Sequence, residues 1–233
     1  MTIARHLRRL GKALDFREPL HFLHIGKNAG TQIKHIGDQI TRGSQRYRFV
    51  RHPHRRTLDD VPAGQKYFFS IRDPITRFKS GFYSRKRKGQ PRIYSEWTAE
   101  EALAFQHFEH ANELAEALYE DSERGRLAYS AMRSISHVAR HQVGWLGEHG
   151  FFLETRPPVH IIRQERFDED LAGLLRRLEL DIEVSLSPDP KIVHRNDYQR
   201  TPPLSALAVG HLRVWYSADF VLYRLCERWL EGR

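Results

Sequence analysis

The segment Phe22-Leu23-His24-Ile25-Gly26-Lys27-Asn28-Ala29-Gly30-Thr31-Gln32-Ile33-Lys34 carries an apolar strand into a tight turn of small and polar residues, then directly into a helical pattern. A strand–turn–helix with one lysine in the turn is a way to build a phosphate site. N–H groups at the helix start converge on an anion, the helix dipole favours negative charge, and the ammonium adds a point charge. Thr31 stands where a hydroxyl either caps the helix or bonds a phosphate oxygen. The spacing differs from the G-x-x-x-x-G-K-[ST] loop, in which the lysine follows the second glycine; here Lys27 precedes Gly30 by three positions. Taken alone, the segment also fits an ordinary strand–turn–helix with an exposed lysine.

A second segment narrows the choice. Lys66-Tyr67-Phe68-Phe69-Ser70-Ile71 is an aromatic and β-branched run of buried-strand type, and it ends in Arg72-Asp73-Pro74. Pro74 suits the first position of a helix and Asp73 the cap before it. Arg72 is thereby predicted at the carboxyl end of a strand, and Ser80 two turns into the helix that follows. Ligands of open α/β sheets bind at those carboxyl ends.

Together the two segments resemble the sulfotransferase superfamily, whose donor is 3′-phosphoadenosine 5′-phosphosulfate (PAPS). Lys27-Asn28-Ala29-Gly30-Thr31 is similar to its 5′-phosphosulfate loop, written H-I-P-K-T-G/A-G-T in carbohydrate sulfotransferases. Arg72-Asp73-Pro74 through Arg77 and Ser80 is similar to the 3′-phosphate motif R-D-P-x-x-R-x-x-S. A looser likeness covers Ile161–Leu178 and Trp215-Tyr216-Ser217-Ala218-Asp219-Phe220, which resembles the terminal Y-x-x-D-F helix of membrane-type and bacterial carbohydrate enzymes. Gly26 replaces the usual proline and Asn28 the usual threonine; both keep a turn-compatible loop. The resemblance implies a three-layer, P-loop-like α/β fold over residues 1–233 as one domain. It implies donor contacts from Gly26, Lys27, Asn28, Ala29, Gly30, Thr31 and Gln32 on one side, and from Arg72 and Ser80 on the other. The product would be 3′-phosphoadenosine 5′-phosphate (PAP), and the acceptor a hydroxyl of a carbohydrate or glycolipid.

The periodicity predicts strands at 20–25, 46–51, 66–71 and 158–163, and helices near 30–41, 74–88, 99–119, 123–147, 168–179 and 205–231. Strands alternating with helices argue for a parallel sheet flanked by helices. The strandless stretch 99–147 reads as a helical insertion forming a lid or acceptor wall. With 233 residues, 40% of them hydrophobic, the chain can bury one substantial core. The single cysteine, Cys226, excludes an internal disulfide and sits on an apolar helical stripe, as a core thiol does.

Lysine and arginine outnumber aspartate and glutamate by 38 to 29, a net charge of +9, which favours an anionic partner. The bases are scattered among acids, so a nucleotide donor and a glycan are expected rather than nucleic acid; the rival readings are a non-catalytic phosphate-binding module and a basic nucleic-acid-binding domain. The densest run, Arg85-Lys86-Arg87-Lys88, either borders the substrate cleft or is a solvated face. No stretch reaches the roughly 20 apolar residues of a bilayer span, and a signal-peptide core is not evident. Ile3, Leu7, Leu10 and Leu14, with Arg5, Arg8, Arg9 and Lys12 around them, mark a basic amphipathic segment that either packs on its own domain or touches an anionic membrane. A cytoplasmic, bacterial-type enzyme is the expectation.

Transfer to a hydroxyl needs a group to accept its proton. His52 and His54 follow the alternating segment Tyr47-Arg48-Phe49-Val50, which places them at the end of a second strand beside the Lys27 loop. The H-x-H resembles that of uronyl 2-O-sulfotransferases, in which the second histidine is the implicated base; carried over, that is His54, with His52 the alternative and a glutamate from elsewhere the pattern of other relatives. Lys27 is the natural stabiliser of charge on the leaving side. Zinc is the rival for these histidines, with His137 and His141 at i, i+4 as a second pair, but no matching further ligands stand at recognisable spacing, so no metal is expected. Arg195, late in the chain, is a further candidate donor contact, and Glu165 either orients neighbouring bases or begins a helix.

Overall fold

Four parallel strands form one sheet in the order β2-β1-β3-β4: β1 Glu18–Leu23, β2 Tyr47–Arg51, β3 Tyr67–Ile71 and β4 His160–Arg163. The structure is a computed structural model and describes residues 15–147, 149–189, 198 and 200–232. The N-terminal stripe through Leu14 and the candidate contact Arg195 lie outside those residues. Each strand falls within two residues of its predicted place.

Alternation along the strands divides the apolar residues between two faces. Leu20, Phe22, Phe68 and Ile162 point to one face and are covered by α1 (Gly30–Gly43) together with the helix after β4. Leu23, Tyr67, Phe69, Ile71 and Ile161 point to the other, where they meet Trp145, Leu146, Phe152, Leu153, Leu222 and Cys226. The architecture is therefore α/β, with a parallel sheet flanked by helices. Cys226 is fully buried, and burial pushes its thiol pKa up.

The remaining helices run in chain order: α2 Pro74–Lys86, α3 Ala99–His107, α4 Ala111–Ala117, α5 Glu123–Ser134, α6 Ser136–Ala139, α7 Val143–Leu146, α8 Phe152–Thr155, α9 Phe167–Arg177, α10 Ala206–Trp215 and α11 Ser217–Glu231. Asp73 caps α2 by accepting from the Thr76 N–H at 2.9 Å, with Pro74 in the first turn, as its sequence predicts. Stretch 99–147 is helical but broken into α3–α7 rather than two long helices. Breaks fall at Phe108, whose ring is fully buried, and around Ile135 and His141. A separate core joins α2 to this region through Phe78, Phe82, Phe105, Phe108, Met132, Ile135 and Tyr216. Among the described residues, no helix is long and apolar enough to cross a membrane.

Candidate active site

From β1 the chain moves outward to β2, then returns past β1 to β3. The carboxyl ends of β1 and β3 thus bracket the point where strand order reverses, which is where open α/β sheets hold ligands. The loop after β1 carries Lys27 and the turn after β3 carries Arg72; the two meet, with the Arg72 guanidinium donating to the Lys27 carbonyl at 3.3 Å. A cavity of about 690 Å³ opens there, lined on one side by Lys27, Ala29, Gly30, Thr31 and Gln32 and on the other by Arg72 and Ser80.

The loop is bent into an anion-binding shape. Lys27 (φ 70°) and Ala29 (φ 57°) both adopt left-handed backbone without being glycine, a conformation costing roughly 1–3 kcal/mol each and concentrated at ligand sites. Ala29 caps α1 with no side-chain hydrogen bond, so the first-turn N–H groups are left to whatever enters the cavity. The Thr31 hydroxyl does not cap the helix; it accepts from Arg92, which reaches over from the loop after α2. Gly30 is required by contact: a Cβ there would stand 1.8 Å from His24 Nε2.

A buried frame sets the loop against the Arg72 turn. Asn28 has no exposed surface, and its amide nitrogen donates to the Ser70 carbonyl at 2.9 Å and to Gln142 Oε1 at 2.7 Å. Its side chain is thus turned into the protein, away from any donor. Gln142, also fully buried, accepts from the Arg72 N–H at 3.2 Å and donates to the Arg72 carbonyl at 2.8 Å. Asp219 on α11 accepts from the backbone N–H groups of Gln142 (2.9 Å) and Val143 (3.0 Å). Arg77, 2% exposed, donates to the carbonyls of Gly26 (3.0 Å) and Arg140 (2.9 Å), so it braces the loop from beneath and Gly26 serves through its carbonyl. Glu165 accepts from the Asp73 N–H at 3.0 Å and from the Tyr223 hydroxyl at 3.1 Å, which ties the start of α2 to α11.

The lining is cationic and, among the described residues, contains no carboxylate. Burial, followed by repulsion from Arg72 and other arginines, lowers the Lys27 pKa to about 8. Burial likewise lowers the Arg72 pKa. From the run at 85–88, Arg85 and Arg87 reach the cavity wall, whereas Lys86 pairs with Glu109 and Lys88 with Glu96. The Arg85 charge is already met by buried Glu101 at 2.8 Å.

Three histidines, His24, His54 and His137, face the cavity. The His54 and His24 rings lie 3.7 Å apart, and His54 Nδ1 sits 3.3 Å from the His24 carbonyl. A carbonyl only accepts, so Nδ1 carries the proton and Nε2 is left with its lone pair. The His54 carbonyl is held by Trp145 Nε1 (2.7 Å) and Arg140 (2.9 Å). The surrounding protein, then the Lys34 charge, lowers the His54 pKa below the ordinary 6.5. Burial brings His24 down to about 2 and His137 to about 3. All three are neutral imidazoles at physiological pH.

His52 is not brought to the cavity. It donates from Nε2 to His21 Nδ1 at 2.7 Å, and His21 donates in turn to Gln65. His137 and His141 are also separated, because the break after α6 takes them off a common helix; His141 packs on Tyr216 with centroids 4.9 Å apart. Among the described residues no group of three or more His, Cys, Asp or Glu stands together as metal ligands would.

The cavity also holds groups that motif reading passed over. His24 Nδ1, His137 Nδ1, Gln164 Oε1 and the Tyr198 hydroxyl are buried without a hydrogen-bond partner among the described residues. Position alone could have flagged His24, at the end of a strand before the turn; Gln142 carries no local signal. No protein-family model, curated protein or solved structure matches the chain.

Proposed function

We propose that the chain is a PAPS-dependent sulfotransferase with a P-loop-like fold, acting on a carbohydrate or glycolipid hydroxyl. The observation that carries this reading is the pairing of two anion sites across one cavity whose described lining holds no acid: the left-handed loop at Lys27 with the uncapped start of α1, and the Arg72 turn with Ser80 of α2. Two phosphate-sized sites on one ligand fit a nucleotide phosphorylated at both ends, and the unpartnered polar atoms in the lining fit a ligand rich in donors and acceptors.

The donor supplies an activated sulfuryl group. Lys27 and the α1 amides hold its 5′ end, and Lys27 offsets the charge that grows on the leaving side. Arg72 and Ser80 hold the 3′-phosphate. His54 Nε2, free of its proton at neutral pH, takes the proton of the acceptor hydroxyl. His24, its ring tilted against that one and kept neutral by burial, keeps a second positive charge away from it. Lys27, Arg72 and the loop amides supply the positive field that magnesium supplies in kinases, so turnover is expected to survive EDTA.

PAP should raise the melting temperature more than adenosine 5′-monophosphate does. Arg72→Ala removes a charge-assisted contact of roughly 1.5–3 kcal/mol, so PAP affinity should fall about tenfold or more while affinity for the monophosphate changes little. Equal responses to the two nucleotides would overturn the donor reading. Stabilisation by PAP, with no mass gain on any glycan or lipid incubated with PAPS, would reduce the protein to a nucleotide-binding module.

A further inference from the structure

The cavity lies at the carboxyl ends of the strands, and the opposite edge, where β1 and β2 begin, is built differently. Hydrogen bonds gather three segments there. Arg17 donates to the carbonyls of Thr41 (2.6 Å) and Ser44 (3.3 Å) at the end of α1, and the Glu18 N–H donates to the Arg46 carbonyl at 2.9 Å, just before β2. Phe16, Arg42 and Arg46 therefore stand on adjoining stretches of chain, and Arg48 lies in register with Pro19. The acids of this edge are already matched: Asp15 with Arg17, Glu18 with Lys66, and Glu179 with Arg46. Arg42 and Arg48 make no ion pair among the described residues. Phe16, a large aromatic side chain, is 93% exposed beside them.

The sequence leading into Phe16 repeats this chemistry. Residues 1–14, outside the described ones, contain Arg5, Arg8, Arg9 and Lys12 and no aspartate or glutamate, while Ile3, Leu7, Leu10 and Leu14 recur at helical spacing. Free bases, an apolar stripe and a bare aromatic ring in one place match a bilayer interface, where lipid phosphates meet the charges and the acyl boundary takes the apolar groups. A nucleic acid would answer the charges and leave the leucines and Phe16 in water. We propose that this edge docks on an anionic lipid bilayer. Phe16 and the stripe at residues 3–14 enter the interface, and Arg42, Arg48 and the bases at residues 5–12 meet the headgroups. The cavity, at the other end of β1 and β3, stays clear of the lipid. The docking face stands whether or not the cavity takes PAPS.

The test is sedimentation of the full chain with vesicles of phosphatidylcholine alone and of equimolar phosphatidylcholine and phosphatidylglycerol. Binding to the anionic vesicles should be about tenfold tighter or more, and added salt should weaken it. Leu7→Gln/Leu10→Gln should lower that binding about tenfold and Phe16→Ser about threefold. Arg42→Gln/Arg48→Gln should lower it about fivefold, whereas Arg213→Gln/Arg224→Gln, which removes equal charge from exposed sites on α10 and α11, should change it by less than about twofold. Equal affinity for the two vesicles, or no sedimentation with either, would overturn the docking face. Equal losses in the two charge-matched variants would overturn it as well, because they mean a diffuse field. Melting in lipid-free buffer separates the other use of the stripe. If Leu7→Gln/Leu10→Gln lowers the melting temperature and leaves vesicle binding intact, the stripe packs on its own domain and the docking face falls.

Discussion

Two histidine pairs join the same neighbouring strands, and they have opposite chemical fates. In the first, His21 and His52 stack with centroids 5.0 Å apart and share a 2.7 Å hydrogen bond, and Gln65 Oε1 accepts from His21 Nε2. In the second, the His24 and His54 rings are tilted at 40° with centroids 3.7 Å apart, and among the described residues neither His24 Nδ1 nor His54 Nε2 has a hydrogen-bond partner. The first pair spends its hydrogen-bonding capacity within the protein. The second keeps capacity in reserve and lines the cavity. Residue type and a spacing of two do not tell a histidine that faces the cavity from one bonded within the fold; the partners of the ring nitrogens do.

The largest expected effect sets the pairs against each other. His54→Ala should lower kcat by roughly 10²–10⁴, the range for a positioned general base, with PAP affinity nearly unchanged. His52→Ala should leave kcat within a few-fold and cost about 1 kcal/mol of stability through its lost bond to His21. Single-turnover rates and urea unfolding on both variants would check this, and a matching kcat loss in His52→Ala would erase the distinction.

A smaller effect concerns the frame beneath the open pair. Gln142→Leu leaves the Arg72 backbone groups and one Asn28 proton without their partner, costing roughly 1–3 kcal/mol for each buried group left unmet. PAP affinity should drop about tenfold, because the Lys27 loop and the Arg72 turn lose their common spacer, while the pH profile of kcat keeps its shape. Calorimetry and denaturant unfolding measure the two losses; unchanged PAP affinity in a folded Gln142→Leu protein would confine Gln142 to stability.

The smallest effect is in pH. Lys27 titrates near 8 in the donor-free protein, and a bound anion raises that value. Donor affinity should therefore fall about fourfold between pH 7 and 8.5, with proton uptake on binding at the upper end. The stability effect has the opposite sign. A lysine depressed by folding penalises the folded state while it is charged, so its share of stability rises as pH climbs from about 8 toward the ordinary 10.5. His54, depressed below 6.5, keeps the acid limb of kcat below that pH. Calorimetry in two buffers of different ionisation enthalpy reads the proton uptake directly.

Much of the fold is legible locally. Strand alternation, the Asp73-Pro74 start of α2 and the strand-then-glycine break before α1 are statements about neighbours in sequence, and each holds in the structure. The site is legible where it consists of loop shape: Lys27, Gly30, Thr31, Arg72 and Ser80 all line the cavity, as does His54. What stayed hidden depends on partners far along the chain. Asn28 looks like a ligand-facing loop residue until Gln142, over a hundred positions later, claims its amide. His137 looks like one end of a helical pair until the helix breaks and turns it toward Lys27. Spacing within a segment cannot report which distant element meets it.

The clamp of Asp219 on Gln142 has a consequence in time. During synthesis the chain emerges from its amino end, so the Lys27 loop and the Arg72 turn are both exposed to solvent well before α11 exists. Until Asp219 arrives, the Gln142 and Val143 N–H groups lack their acceptor, and Gln142 is held between the two only by its own side chain. The frame that spaces the Lys27 loop from the Arg72 turn is therefore complete only once the last helix has been made. The helix latest in the chain thus completes the support of a cavity built on its first and third strands.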